Sequence, residues 1–224
     1  MDKYVIVVAG GSGSRMQSTL PKQFIKIGKK PILMHTIECF IKFSDQIKII
    51  LVLPENEIIT WQNLCKQYNF TINHIIIKGG KTRFESVKNG FKSIDEINSI
   101  VAIHDGVRPF ITNEIINESF LTAQKYGTAV TSIHSKDSVR KINDDGTNTS
   151  INRESIRIIQ TPQTFQYQVL KDAFDKASHT NFTDDASVAE AAGYSIHLIE
   201  GSYKNIKITS PEDLIIVELF LKKE

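Results

Sequence analysis

The chain has 224 residues, 41% of them hydrophobic, which suffices for one substantial buried core. Its 27 basic and 25 acidic residues leave a formal net charge of +2. That balance argues against a general nucleic-acid surface, which carries a basic stripe, so any anion site is expected to be local.

The chain opens on MDKYVIVVAGG, whose apolar run is too short for a signal-peptide core. No later stretch reaches the length of a membrane span, and a soluble, cytoplasmic protein is expected. Val5-Ile6-Val7-Val8 has the β-branched character of a strand buried on both faces. It breaks into Gly10-Gly11-Ser12-Gly13-Ser14, where glycines permit φ > 0 and let a ligand approach bare N–H groups. Such groups form an electropositive concavity suited to phosphate, and Arg15 and Lys22 add two cations. A plain structural turn is the competing interpretation. The P-loop pattern is absent, and the dinucleotide fingerprint fails because its third glycine falls on Met16.

Pro31 opens an expected helix with Leu33, Ile37, Phe40 and Ile41 on one face. Residues 47–53 form a second apolar strand, stopped by Pro54. Residues 55–68 suggest a helix with Trp61, Leu64 and Cys65 inward, and residues 72–77 a third strand ending in Lys78-Gly79-Gly80. Cys39 and Cys65, the only cysteines, are expected to be reduced core thiols. Thr82-Arg83-Phe84-Glu85 matches a capping box, so a helix should start there, burying Phe84, Val87, Phe91 and Ile94. Residues 99–103 give a fourth strand ending at His104-Asp105. This alternation indicates a doubly wound α/β fold with a mainly parallel sheet. Ligands in such folds sit beyond the carboxyl ends of the strands. Three of those ends carry unusual residues, at 10–15, 79–83 and 104–109.

Thr112 is expected to cap a helix through Lys125, followed by a strand at 129–133. Residues 136–159 are polar and broken by Asn143-Asp144-Asp145-Gly146, a hairpin signal. Residues 139–142 and 155–159 are the expected arms of a β-arm too polar to stand alone, for which a second subunit is the expected support. A surface loop is the alternative. Thr183-Asp184-Asp185 opens a helix through Ala192, and strands follow at 195–199 and 205–209. Ser210-Pro211-Glu212-Asp213 caps a final helix with Leu214, Val217 and Leu221 inward. No repeat or linker interrupts the chain, so residues 1–224 are expected to be one domain.

Arg15, Lys22, Arg83, Asp105, Arg108, Arg153 and Lys207 are six cations and one strand-end acid. That set suits phosphoryl or nucleotidyl transfer, with Asp105 holding Mg²⁺ and the cations neutralising phosphate charge. No nucleophile elbow or zinc motif is present.

The segments AGGSGSRM…LPKQF, GG-x-x-R at 79–83, HDGVRPF at 104–110, TDDASVAE at 183–190 and NIKIT at 205–209 resemble the 2-C-methyl-D-erythritol 4-phosphate cytidylyltransferases, in order and over nearly the whole chain. The resemblance implies a Rossmann-like three-layer nucleotidyltransferase fold with a protruding β-arm exchanged in a homodimer. It implies cytidylyl transfer from CTP to methylerythritol phosphate, with release of pyrophosphate, in non-mevalonate isoprenoid synthesis. Ala9, Gly10, Gly11, Ser12 and Gly13 would wrap the CTP phosphates and part of the base. Gly80, Arg83 and Ser86 would help recognise cytosine and ribose, and Arg15 and Lys22 would act at the α-phosphate. Asp105 would bind Mg²⁺ or another divalent cation. Arg108, Ser138, Arg153 and Lys207 would hold the acceptor phosphate, with Arg153 coming from the partner's arm. Gly10 and Gly106-Val107 depart from the usual alanines, and Ser138 replaces a threonine. The ribitol-5-phosphate cytidylyltransferases share some of these departures, and they stand as the alternative assignment. A catalytically silent nucleotide-binding dimer is the non-enzyme alternative.

Overall fold

The computed structural model of the chain describes residues 1–11, 16 and 20–221. Strand β1 (Asp2–Val8) comes first, with Val5, Ile6 and Val7 fully buried as its β-branched run requires. A short antiparallel pair, β2 (Lys26–Ile27) and β3 (Lys30–Pro31), leads into α1 (Ile32–Phe43). Then follow β4 (Lys48–Leu53), a 3-10 turn at Glu55–Glu57, α2 (Ile58–Gln67), β5 (Ile75–Lys78) and α3 (Arg83–Phe91). The middle of the chain gives β6 (Ser99–Asp105), α4 (Asn113–Tyr126) and β7 (Thr128–His134). The arm strands β8 (Val139–Ile142) and β9 (Asn148–Ile151) precede β10 (Arg157–Gln166) and α5 (Tyr167–Lys176). Helix α6 (Asp185–Ala191), β11 (Leu198–Glu200) and α7 (Pro211–Leu221) complete the described chain.

The main sheet runs β11-β7-β10-β6-β1-β4-β5. Side-chain alternation divides it into two faces. Val5, Val7, Leu51 and Leu53 point to one side, into a core with α1, α2 and α4. Ile6, Ile50, Val52, Val101 and Ile103 point to the other, against α3, α5 and α6. The result is the expected three-layer α/β arrangement. Helix starts follow local chemistry: Thr82 and Glu85 form the reciprocal capping box, and Thr112 and Asp184 cap α4 and α6. Cys39 and Cys65 are not joined in a disulfide, and both are half-buried against the core. No helix among the described residues is long and apolar enough to cross a membrane.

The sheet is mainly parallel as expected, with β10 alone lying antiparallel between β6 and β7. Four other expectations are corrected. The arm pairs residues 139–142 with 148–151, since the turn closes at Gly146 (φ +80°) and pairing resumes at once. Residues 157–159 instead pair with β7 in the main sheet. Residues 205–209 are not a strand; their backbone turns under Asp213, whose carboxylate accepts from the Thr209 and Ser210 amides. The strand expected from residue 195 begins at 198, and the third strand begins at 75 rather than 72. There His74 Nδ1 occupies the Ile72 carbonyl at 2.7 Å.

The same histidine accepts a 2.9 Å hydrogen bond at Nε2 from the indole N–H of buried Trp61. An indole nitrogen only donates, so Nε2 is bare and the ring is neutral. Burial pushes the His74 pKa below its ordinary value. A depressed native pKa gives stability that is complete above the unfolded value and is lost as pH falls through the native one. Between about pH 7 and 5 the unfolding midpoint is expected to fall and emission from Trp61, the only tryptophan, to shift red. His74→Gln should flatten this part of the profile in a thermal melt series.

Candidate active site

Strands β1, β4, β5 and β6 end at one level because their ladder continues into the loops. Ala9 N–H bonds the Val52 carbonyl (3.0 Å), Gly79 N–H the Leu53 carbonyl (2.8 Å), and Gly106 N–H the Val8 carbonyl (2.9 Å). Strand order reverses about β1, so these loops border the crevice where such sheets take ligands. Two of them require glycine. A Cβ on Gly80 would lie 2.3 Å from Glu85 Cβ, and one on Gly106 would lie 2.9 Å from Ala9 Cβ.

A cavity of about 280 Å³ opens here, lined by Ala9, Gly10, Gly11, Lys22, Gly80, Arg83, Ser86, Asp105 and Lys207 among others. Nearly all of the described residues assigned to CTP and its α-phosphate thus meet in one place. Ser86 lines the wall while its hydroxyl holds the loop, accepting from Gly80 N–H and donating to the Thr82 carbonyl. Lys22 is buried and runs alongside Gly11, where a side chain would crowd it. A second cavity, about 320 Å³, is lined by Arg108, Thr161, Gln163 and Asp184 and shares Arg83, Asp105 and Lys207 with the first. A larger hollow of about 910 Å³ lies beside α1 and the end of α7, without a strand end or a convergence of site cations. The strand-end pair is the chemically equipped one.

The shared wall is electrostatic. Asp105 Oδ2 accepts from Arg108 Nε at 2.9 Å and faces Lys207 Nζ at 3.3 Å. Burial alone would raise the Asp105 pKa, but Lys207, Arg108 and Arg83 outweigh it and hold the carboxylate ionised well below the usual range. Arg83 pairs with Asp185 at 2.6 Å across the floor; burial opposes its charge, and Asp185 more than restores it. His104 behind them is fully buried, and burial depresses its pKa to about 4.

Ser12, Gly13 and Arg15 lie outside the described residues. Ser138 and Arg153 are exposed and line neither cavity of their own chain. Arg153 sits at the arm's base, donating to the Lys136 carbonyl. The structure adds groups that the sequence did not mark. Gln163 Oε1 accepts from the Asp185 and Ala186 amides at 2.9 and 2.8 Å, and its Nε2 donates to Asp184. Thr161 and Asn205 stand behind Asp105 and Arg108. Their signal was Pro162 inside a polar run, which marks an irregularity in a strand.

Comparison with known proteins follows the same lines. Residues 3–223 match the family model described as 2-C-methyl-D-erythritol 4-phosphate cytidylyltransferase. The protein of that name from Azobacteroides pseudotrichonymphae is 48% identical over 220 residues, covering 98% of each chain. The one from Bacteroides thetaiotaomicron is 44% identical over 216 residues, covering 96% of this chain and 98% of its own. Among solved structures, the 4-diphosphocytidyl-2C-methyl-D-erythritol synthase from Anaerococcus prevotii superposes with a TM-score of 0.84. It is 30% identical and covers 98% of this chain and 95% of its own.

Asp185 is 2% exposed, so removing it strands the Arg83 charge. Asp185→Leu is expected to cost about 3 kcal/mol in urea unfolding. Adding Arg83→Leu should recover most of that stability, because the charge needing a partner is then gone.

Proposed function

The chain belongs to the 2-C-methyl-D-erythritol 4-phosphate cytidylyltransferase family, and from that premise we propose that it transfers the cytidylyl group of CTP to 2-C-methyl-D-erythritol 4-phosphate. The products are 4-diphosphocytidyl-2-C-methyl-D-erythritol and pyrophosphate. Two adjoining cavities with a common wall of Arg83, Asp105 and Lys207 carry the assignment, since the reaction needs two phosphate-bearing substrates meeting at one point.

The glycine-rich end of β1 and the Gly79–Gly80 loop take CTP in the first cavity. The second takes the acceptor, with its phosphate against Arg108 and Lys207. The attacking oxygen belongs to a phosphate monoester whose second pKa is about 6, so it is already ionised at neutral pH. No general base is needed. The barrier lies in bringing two polyanions into line, and Lys22 and Arg15 lower it by meeting charge that grows on the α-phosphate. The bond from that oxygen to the α-phosphorus forms as the bond to pyrophosphate breaks.

Mg²⁺ fits this donor set. It binds through one or two carboxylates plus substrate phosphates rather than an all-protein cage. Asp105 supplies such a carboxylate, and the described residues contain no cluster of three metal-ligating side chains. When bound, the ion neutralises and orients the phosphates. Asp105 would hold it, and Arg108 and Lys207 hold Asp105.

The arm supports a homodimer. Its strands pair only with each other in a separate two-stranded sheet, and Ile142 is 68% exposed. A two-stranded ribbon is marginal alone. In the dimer, Ser138 and Arg153 reach the acceptor site of the partner, which accounts for their distance from their own.

Pyrophosphate release from purified protein with CTP, Mg²⁺ and methylerythritol phosphate tests the reaction. Release with ribitol 5-phosphate instead moves the assignment to the sister group. Lys22→Ala is expected to lower turnover by about 100-fold or more. Arg153→Ala should also be strongly impaired. Mixing the two variants after reversible dissociation should recover up to about a quarter of wild-type activity, because each mixed dimer regains one intact site. No recovery in subunit-exchanged mixtures would remove the shared-arm arrangement.

A further inference from the structure

Lys22 reaches the first cavity from a 3-10 turn, Lys22–Phe24, whose three residues are all buried. Backbone bonds shape the turn: Phe24 N–H meets the Pro21 carbonyl at 2.9 Å, and Ile25 N–H the Lys22 carbonyl at 3.2 Å. Its footing in the core is a ring. Phe24, 2% exposed, stacks on Trp61 of α2 with centroids 6.1 Å apart and planes 13° from parallel.

Trp61 is located in turn by the segment between α2 and β5. Phe70 meets the indole edge-on at 5.6 Å, and His74 Nε2 accepts the indole N–H at 2.9 Å. Ring contacts tolerate sliding of the indole in its own plane, whereas a hydrogen bond weakens steeply once it bends. His74 therefore fixes Trp61, Trp61 fixes Phe24, and Phe24 is two residues from Lys22.

One proton can break this chain of supports. His74 is half-buried and lines two hollows, of about 710 and 500 Å³, which bring solvent to it. Cys65 and Lys66 face it across the first, Asp45 and Lys48 across the second. Burial pushes the Cys65 thiol up to about 11, so it stays neutral. The two lysines oppose a positive imidazole and Asp45 favours one, while the ring's own hydrogen bonds go to the uncharged indole and the Ile72 carbonyl. A protonated Nε2 would set one N–H against another, stranding the indole donor of a fully buried residue.

We propose that Trp61 and His74 are positioning residues for Lys22, acting through Phe24, and that a proton on His74 releases the lysine from its transition-state geometry. This rests on the cytidylyl-transfer reading, which wild-type turnover tests first and separately.

His74→Ala removes the acceptor. At about pH 8 its kcat should fall about tenfold with both KM values within about twofold of wild type, because Lys22 meets charge that appears only in the transition state. His74→Gln offers an amide oxygen to the indole without a titrating group, and should restore kcat. Between about pH 7 and 5 the wild-type kcat should fall and that of the glutamine variant stay flat. The acceptor phosphate does not add to this limb, since cations hold it ionised once bound. In a Lys22→Ala background, His74→Ala should change turnover by less than about twofold, since the group it positions is gone. Trp61→Phe, which keeps a ring under Phe24 and removes the N–H, should show the same kcat loss and keeps the test open if the alanine variant fails to fold. A merely structural pair would lower the melting temperature and the active fraction, and would cost the same factor with or without Lys22. That outcome, glutamine failing to restore kcat, or an acid limb unchanged in the glutamine variant overturns the proposal.

Discussion

Everything at the site depends on one buried carboxylate being held by two cations. Asp105 could not remain ionised at 6% exposure without Arg108 and Lys207, and neither cation would stay in place beside another without that carboxylate. A site that must hold two polyanions needs excess positive charge. Surplus charge pushes apart unless an interior acid ties it. Asp105 is that tie, and the fold is arranged to bring its partners from residues 108 and 207 to the end of β6.

The rest of the architecture serves this convergence. Parallel strands β6, β1, β4 and β5 deliver their carboxyl ends to one edge. Placing β10 antiparallel beside β6 brings Gln160, Thr161 and Gln163 to the same edge from the opposite chain direction. Their side chains then meet the N-terminus of α6 and the 205–207 segment. Ile208 N–H bonding the Val107 carbonyl at 3.0 Å fastens that segment to the turn after β6.

The first half of the fold was legible because its signals are local. β-Branched runs gave β1 and β4, the Thr82–Glu85 box fixed α3 to the residue, and Pro31 and Pro54 punctuated correctly. The strand ends at Gly10, Gly80 and Asp105 were therefore located, and the cavity follows from them. The second half was less legible because its strands are set by pairing at a distance. β10 carries Gln160-Thr161-Pro162-Gln163-Thr164, polar but for the proline, yet these residues are buried by β6, β7 and α6. No single-strand pattern announces burial that a neighbour's hydrogen bonds make possible. The arm shows the same limit: Gly146 revealed the turn, but the rival claim of β7 on residues 157–159 decided which segment pairs across it. Asn205 looked like strand because Ile206 and Ile208 alternate with polar neighbours, whereas its side-chain amide turns inward to the Thr161 carbonyl and Asp213 takes the Thr209 and Ser210 amides.

His134, the last residue of β7, faces Arg157, the first of β10, as a register pair. Residues 135–156 therefore leave the main sheet and return to it at adjoining points. Topologically they are a side branch grown out of an ordinary hairpin, whose root is closed by Arg157–Glu200 and by the Tyr203 hydroxyl on the His134 carbonyl. A branch of that kind can lengthen, shorten or change its tip without shifting the alignment of any core strand. Natural selection can thus remodel this segment while the strand-end cavities stay untouched. An engineer can graft a foreign arm on the same two neighbouring residues.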